Sequence, residues 1–150
     1  MEPKTQRDIA IAVAVVTVII LAGTLLYFHY RIRNIGRIKA IGIEVYWDAQ
    51  CTEKVTEIDW GLLGPGDLAG VTVYIKNIRN TPAILNVTTE LWSPLNADLY
   101  LTFDWNYTEG MVLAPAEVIS VQFTLYVDPA IEGITEFSFD ILIVATEYEE

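Results

Sequence analysis

The chain has 150 residues, 53% of them hydrophobic, and a net charge of -11, which leaves room for one domain and an anchor but not for a second globular domain. The charge is lopsided: residues 1–39 carry six Lys/Arg against Glu2 and Asp8, whereas residues 40–150 carry 18 acids against Lys54, Lys76 and Arg79. So acidic a domain repels phosphate backbones, whose recognition rests on Lys and Arg, and nucleic acid is excluded as a partner.

Residues 1–8 read as a short N-terminal tail. From Ile9 to Phe28, IAIAVAVVTVIILAGTLLYF, 20 residues pass without a charge, and at about 1.5 Å rise per residue a helix of that length matches a hydrocarbon core about 30 Å thick. In lipid a helix is the single-segment way to satisfy every backbone N–H and C=O, even for a run rich in Val, Ile and Thr. The expectation is one transmembrane helix over residues 9–30, with the lipid bilayer as its partner. Tyr27, Phe28, His29 and Tyr30 resemble an interfacial belt. The run is longer than a secretory core, and YFHYRIRN after it offers no small-x-small cleavage site, so the anchor is expected to stay uncleaved. Lys4 and Arg7 on one side against Arg31, Arg33, Arg37 and Lys39 on the other would by count place the domain in the cytoplasm. Long domains translocate largely regardless of flanking charge, however, and the sequence is read as a single-pass protein of the cell membrane with its domain on the extracytoplasmic side. RIRNIGR, residues 31–37, reads as a basic juxtamembrane linker.

From residue 38 apolar residues fall at every second position. The first strand sets Ile41, Ile43, Val45 and Trp47 against Gly42, Glu44, Tyr46 and Asp48, and a short strand follows near Val55 to Trp60. GVTVYIK sets Val71, Val73 and Ile75 inward. Next, LNVTTELW sets Leu85, Val87 and Leu91 inward, and LYLTFDW sets Leu99, Leu101, Phe103 and Trp105. VISVQFTLYV sets Ile119, Val121, Phe123, Leu125 and Val127, and EFSFDILIV sets Phe137, Phe139, Ile141 and Ile143 against Glu136, Ser138 and Asp140. One wet and one dry face per strand points to antiparallel pairing. Gly64-Pro65-Gly66, Asn80-Thr81-Pro82, Ser93-Pro94, Ala114-Pro115 and Asp128-Pro129 stand between strands. The fold class that follows is all-β: an immunoglobulin-like antiparallel β-sandwich of about seven strands over residues 38–150, preceded by the one transmembrane helix.

Asn86-Val87-Thr88 and Asn106-Tyr107-Thr108 are N-glycosylation acceptor patterns, the first outward by strand parity and the second in a turn. Tyr46, Tyr74, Tyr100 and Tyr126 share outward parity and suggest a surface row able to stack on sugars or meet a partner; tyrosine is also simply a favoured strand residue. Trp47, Trp60, Trp92 and Trp105 read as core or core-edge residues. Asp48, Glu53, Glu57 and Asp59 gather near the first turn without the spacing of a Ca²⁺ loop, and read as surface acids. Cys51 is the single cysteine, so no intrachain disulfide forms and no Cys-x-x-Cys site exists. The one histidine, His29, lies outside the domain, and no G-x-S-x-G or phosphate-cradling loop is present. Neither catalysis, nor a cofactor, nor a metal is expected.

The segments GIEVYWDAQCTEKVTEIDWGLLGPG, VTVYIKNIRNTPAILNVTTELWSP, LTFDWNY and IEGITEFSFDILI together resemble a group of small membrane-anchored archaeal proteins with an immunoglobulin-like β-sandwich ectodomain, over about residues 41 to 143. A Pro-Gly turn before a strand that ends in Asn77 more loosely resembles adhesion-type cell-surface β-sandwich modules of bacteria and archaea, but Asn77-Ile78-Arg79-Asn80 lacks the glycine they carry after that Asn, and Ala114-Pro115-Ala116 replaces their Pro-Gly turn. The resemblance brings no catalytic residues. The anchor, the two acceptor patterns and the absence of catalytic groups together suggest a module binding a protein or glycan, or serving structurally, at the cell envelope. Two rival readings are a pilin-like filament subunit and an accessory subunit of a membrane complex. Against the first, Arg7-Asp8 stands where a pilin has a basic residue followed by Gly or Ala.

Overall fold

The computed structural model describes residues 32–149. They form strands β1 (Arg33–Ile41), β2 (Ile43–Tyr46), β3 (Glu57–Ile58), β4 (Leu68–Asn77), β5 (Ala83–Ser93), β6 (Leu101–Trp105), β7 (Val118–Val127) and β8 (Glu136–Glu147), with a short 3-10 helix at Leu95–Leu99. The domain is all-β, with two four-stranded sheets in the orders β3-β1-β8-β5 and β2-β4-β7-β6. The tail and the transmembrane helix expected over residues 1–30 lie outside the described residues; among those described, no helix is long and apolar enough to cross a membrane.

The period-two pattern becomes two facing inner surfaces. Val73, Ile75, Val121, Phe123 and Leu125 line one sheet, and Phe137, Phe139, Ile141 and Ile143 the other, all essentially inaccessible to water. Each such burial contributes about 1.5–3 kcal/mol. Phe103 of β6 reaches across to Phe139 of β8, ring centroids 6.4 Å apart, and stands edge-on to Phe123 at 5.3 Å. Trp92 stacks flat on Phe139 at 4.2 Å. Trp60 and Trp92 are buried, Trp47 and Trp105 half-buried, so the tryptophans belong to the core and its edge.

Several expectations are corrected. The first strand is two strands, making eight rather than seven: Gly42, at φ +77°, turns the chain from one sheet into the other. A side chain there would take a left-handed backbone and come within 3.1 Å of Arg79 and 3.2 Å of Ala145. Most of the stretch read as a linker, residues 31–37, is ordered strand, since β1 starts at Arg33. Its inward positions are Ile32, Asn34 and Gly36, an inverted hydrophobic pattern. Asn34 is buried because its carboxamide holds the loop beside it, accepting from the Trp60 N–H at 3.1 Å and donating to the Gly61 carbonyl at 2.8 Å. Gly36 is bare because the Trp60 indole lies over it, 3.0 Å from where a Cβ would sit.

Pairing is not wholly antiparallel. β1 runs parallel to β8, from Arg33 opposite Glu136 to Ile41 opposite Val144, while the other pairings are antiparallel. A parallel pair needs a long connection, and here the rest of the domain supplies it. Inward parity fails at three apolar residues. Ile41 is exposed at the end of β1, Leu99 closes the 3-10 helix, and Leu91 sits at φ 52° in a β-bulge that turns Trp92 inward instead. Asp140, on the outer face, is nonetheless buried, because Lys39 from β1 covers it with an ion pair of 2.9 Å.

Candidate functional site

The connections sort the sandwich into two ends. At the first, the described chain begins: Ile32 exchanges backbone hydrogen bonds with Leu63, at 2.7 and 3.1 Å. Loops 59–67, 94–100 and 128–135 cross between the sheets there, tied by Gly66 N–H to the Val127 carbonyl and Asp128 N–H to the Tyr100 carbonyl. An open groove of about 800 Å³ lies at this end, with Arg33, Arg37, Asp59, Leu62, Pro94 and Glu136 among its walls. At the opposite end stand the Gly42 crossing, the 78–82 turn and the 106–117 loop.

Both glycosylation patterns lie toward that opposite end. Asn86 and Thr88 are exposed on β5, with Asn86 level with Val144 late in β8. Asn106 and Thr108 are exposed just beyond β6. Asn86 lines one shallow concavity with Asp104, Trp105 and Tyr107, whereas the Asn106 side chain is turned to β7 and is not in its wall. Asn106 uses its side-chain oxygen to accept the Gln122 N–H at 2.8 Å. That bond leaves out the amide nitrogen, the atom that takes a sugar.

The four tyrosines do not form one row. Tyr46 and Tyr74 are cross-strand partners. Tyr126 sits opposite Leu68, six residues along β7 from the partner of Tyr74, a separation of about 20 Å along the strand. Tyr100 follows the 3-10 helix, near Asp128. Tyr46 has the outward parity expected but is buried, because the 47–54 turn folds back over it and pairs Lys54 with it. Its hydroxyl donates to the Glu44 carboxylate, which also meets Lys54 at 3.3 Å. This bond pushes the Tyr46 phenol up to about 12 and holds the Glu44 carboxyl below its ordinary value.

Two of the acids near the first turn, Asp48 and Asp59, are engaged in local hydrogen bonds. Asp48 accepts from the Thr52 hydroxyl at 2.6 Å and from the Thr52 and Glu53 N–H groups, and is held below the usual carboxylate range chiefly by that hydroxyl. Asp59 accepts the Gly61 N–H at 2.8 Å. Among the described residues no three ligand-type side chains converge as a metal site would need. Cys51 is half-buried and unpaired in the same turn.

Sequence reasoning passed over three polar residues that hold these ends together. Asn77, fully buried, donates to the carbonyls of Thr81, Leu113 and Ala114 at 3.0, 3.1 and 3.3 Å and accepts the Arg79 N–H at 2.9 Å. The Tyr107 hydroxyl accepts the Leu85 N–H of edge strand β5 at 3.1 Å and donates to the Met111 carbonyl. Asn34 is the third. The available signal was an Asn at the last, inward position of a strand, where only a hydrogen-bonding role justifies burial. No protein-family model matches the chain, and no curated protein matches it.

Proposed function

We propose that the chain is a single-pass, N-terminally anchored protein of the cell membrane. Its β-sandwich stands on the extracytoplasmic side as a non-enzymatic module, binding a glycan or protein or serving structurally at the cell envelope. The observation that carries this reading is the placement of the two acceptor patterns. Both are exposed, and both lie away from the end at which the chain enters from its 20-residue uncharged run. A transferase working from the membrane surface outward would meet them unobstructed.

The strand order supports an immunoglobulin-like reading. The order β2-β4-β7-β6 matches the A-B-E-D sheet of the constant-type sandwich, and the β5–β8 pair matches C and F. The place of strand G is taken by β1, from the other end of the domain and parallel to its neighbour. The concavity beside Asn86 presents the half-buried Trp105 ring, a flat apolar face of the kind that meets sugars.

Protease treatment of intact against lysed cells, with mass spectrometry of peptides containing Asn86 and Asn106, tests the reading. Digestion without lysis, with sugar mass on either asparagine, is the expected result. Protection of the whole domain until lysis would place it in the cytoplasm and overturn the proposal.

A further inference from the structure

The end at which the chain enters the sandwich carries an apolar rim. Leu62 (58% exposed), Leu68 (69%), Leu95 (86%) and Leu99 (76%) all belong to it. They come from three separate segments: the loop paired with Ile32, the first residue of β4, and the 3-10 helix. Tyr126 stands opposite Leu68 and is 40% exposed, and Tyr100 follows Leu99. Single exposed leucines are ordinary on a protein surface, but several at one end beside amphipathic tyrosines call for a covering phase.

Chain length says which phase. Phe28 ends the uncharged run and Ile32 already pairs within the sandwich. Four residues of fully extended chain reach at most about 14 Å. If the run spans the bilayer, this end of the domain is held within about 14 Å of the hydrocarbon edge, of which the headgroup layer fills about 5–7 Å, and the gap left is too thin for an intervening protein layer. Resting on the anchored reading above, we propose that this rim is a second membrane contact: Leu62, Leu95 and Leu99 enter the interfacial layer of the bilayer that holds the anchor, with Leu68 and Tyr126 at its margin.

The attraction is apolar and not electrostatic. Exposed Asp59, Asp98, Glu132 and Glu136 share this end, against Arg33 and Arg37. A surface of this charge gains nothing from anionic lipid, so its engagement is expected in zwitterionic bilayers and unchanged by salt.

The test uses the full chain, with Cys51→Ala as background, reconstituted into phosphatidylcholine vesicles. A fluorophore is placed in turn through Val16→Cys, Leu95→Cys, Leu99→Cys and Glu109→Cys, and the quencher is a nitroxide on the upper acyl chain. The expected result is strong quenching at position 16, quenching at 95 and 99 severalfold above that at 109, and no change when salt is raised. Quenching at 16 with 95 and 99 no different from 109 overturns the rim contact and leaves the anchor intact. No quenching at 16 overturns the anchored reading, and the rim contact with it.

Discussion

Replacing Asn77 with alanine should destabilise the domain more than any other single polar-to-alanine change at the far end. Four hydrogen bonds disappear, but not all with the same consequence. The Leu113 carbonyl keeps the Ala83 N–H at 3.0 Å and the Ala114 carbonyl keeps the Glu117 N–H at 3.0 Å. The cost falls on the Thr81 carbonyl and the Arg79 N–H, each losing its bond to Asn77. At about 1–3 kcal/mol for each stranded group, and with water able to reach a part-buried turn, the total is about 2–4 kcal/mol. For a domain of this size that lowers the melting temperature by about 8–16 °C. Asn77→Asp should be worse at neutral pH, because a carboxylate then faces three carbonyl oxygens, and should recover partly in acid as it protonates. Urea and thermal unfolding of the full chain in detergent, followed by near-ultraviolet circular dichroism, read both. A midpoint for Asn77→Ala within about 1 kcal/mol of wild type, or an Asn77→Asp variant as stable as wild type, would refute the reasoning.

Three further outcomes are expected. Phe139→Asp, at a position 1% exposed and stacked on Trp92, abolishes the cooperative transition, read as loss of the near-ultraviolet signal. Gly42→Val costs more than Gly110→Ala, about 2–4 against about 1 kcal/mol in urea midpoints: both glycines have positive φ, but only Gly42 has neighbours in the way. Tyrosinate absorbance should contain a component titrating near pH 12 that is lost in Tyr46→Phe. The Tyr46 bond favours the folded state fully below pH 10 and ceases to do so as pH rises through about 12. Its partner acts at the other extreme. Glu44 is depressed, so its contribution is complete above pH 4.5 and lost as pH falls through the folded value, and Tyr46→Phe should flatten that acid limb of the stability curve.

Strands β4, β7 and β8 were legible because one of their faces is dry, so hydrophobic alternation reports burial directly. The N-terminal strand was not. Its inward residues Asn34 and Gly36 are chosen for a loop's hydrogen bonds and for an indole's volume, and its Arg33 and Arg37 made the stretch read as a basic linker. Alternation also cannot show a change of sheet: Gly42 continues the sequence pattern while the backbone turns a corner. Leu91 was misread because a bulge inserts a residue without altering composition. As for the candidate surface, the acceptor asparagines could be placed by parity and turn chemistry alone. That Asn86 of β5 shares a concavity with Asp104 and Trp105 of β6 depends on these being edge strands of different sheets, which is topology and has no local signature.

The parallel ladder of β1 with β8 has a mechanical consequence. A pull between the chain before Ile32 and the chain beyond Glu147 would draw the two strands past each other along their length. From Arg33–Glu136 to Ile41–Val144 the rungs lie across that load and share it. An antiparallel hairpin pulled from its open end gives way one rung at a time. A domain joined in this manner should stay folded under tension that would unzip a hairpin-closed sandwich of equal thermodynamic stability.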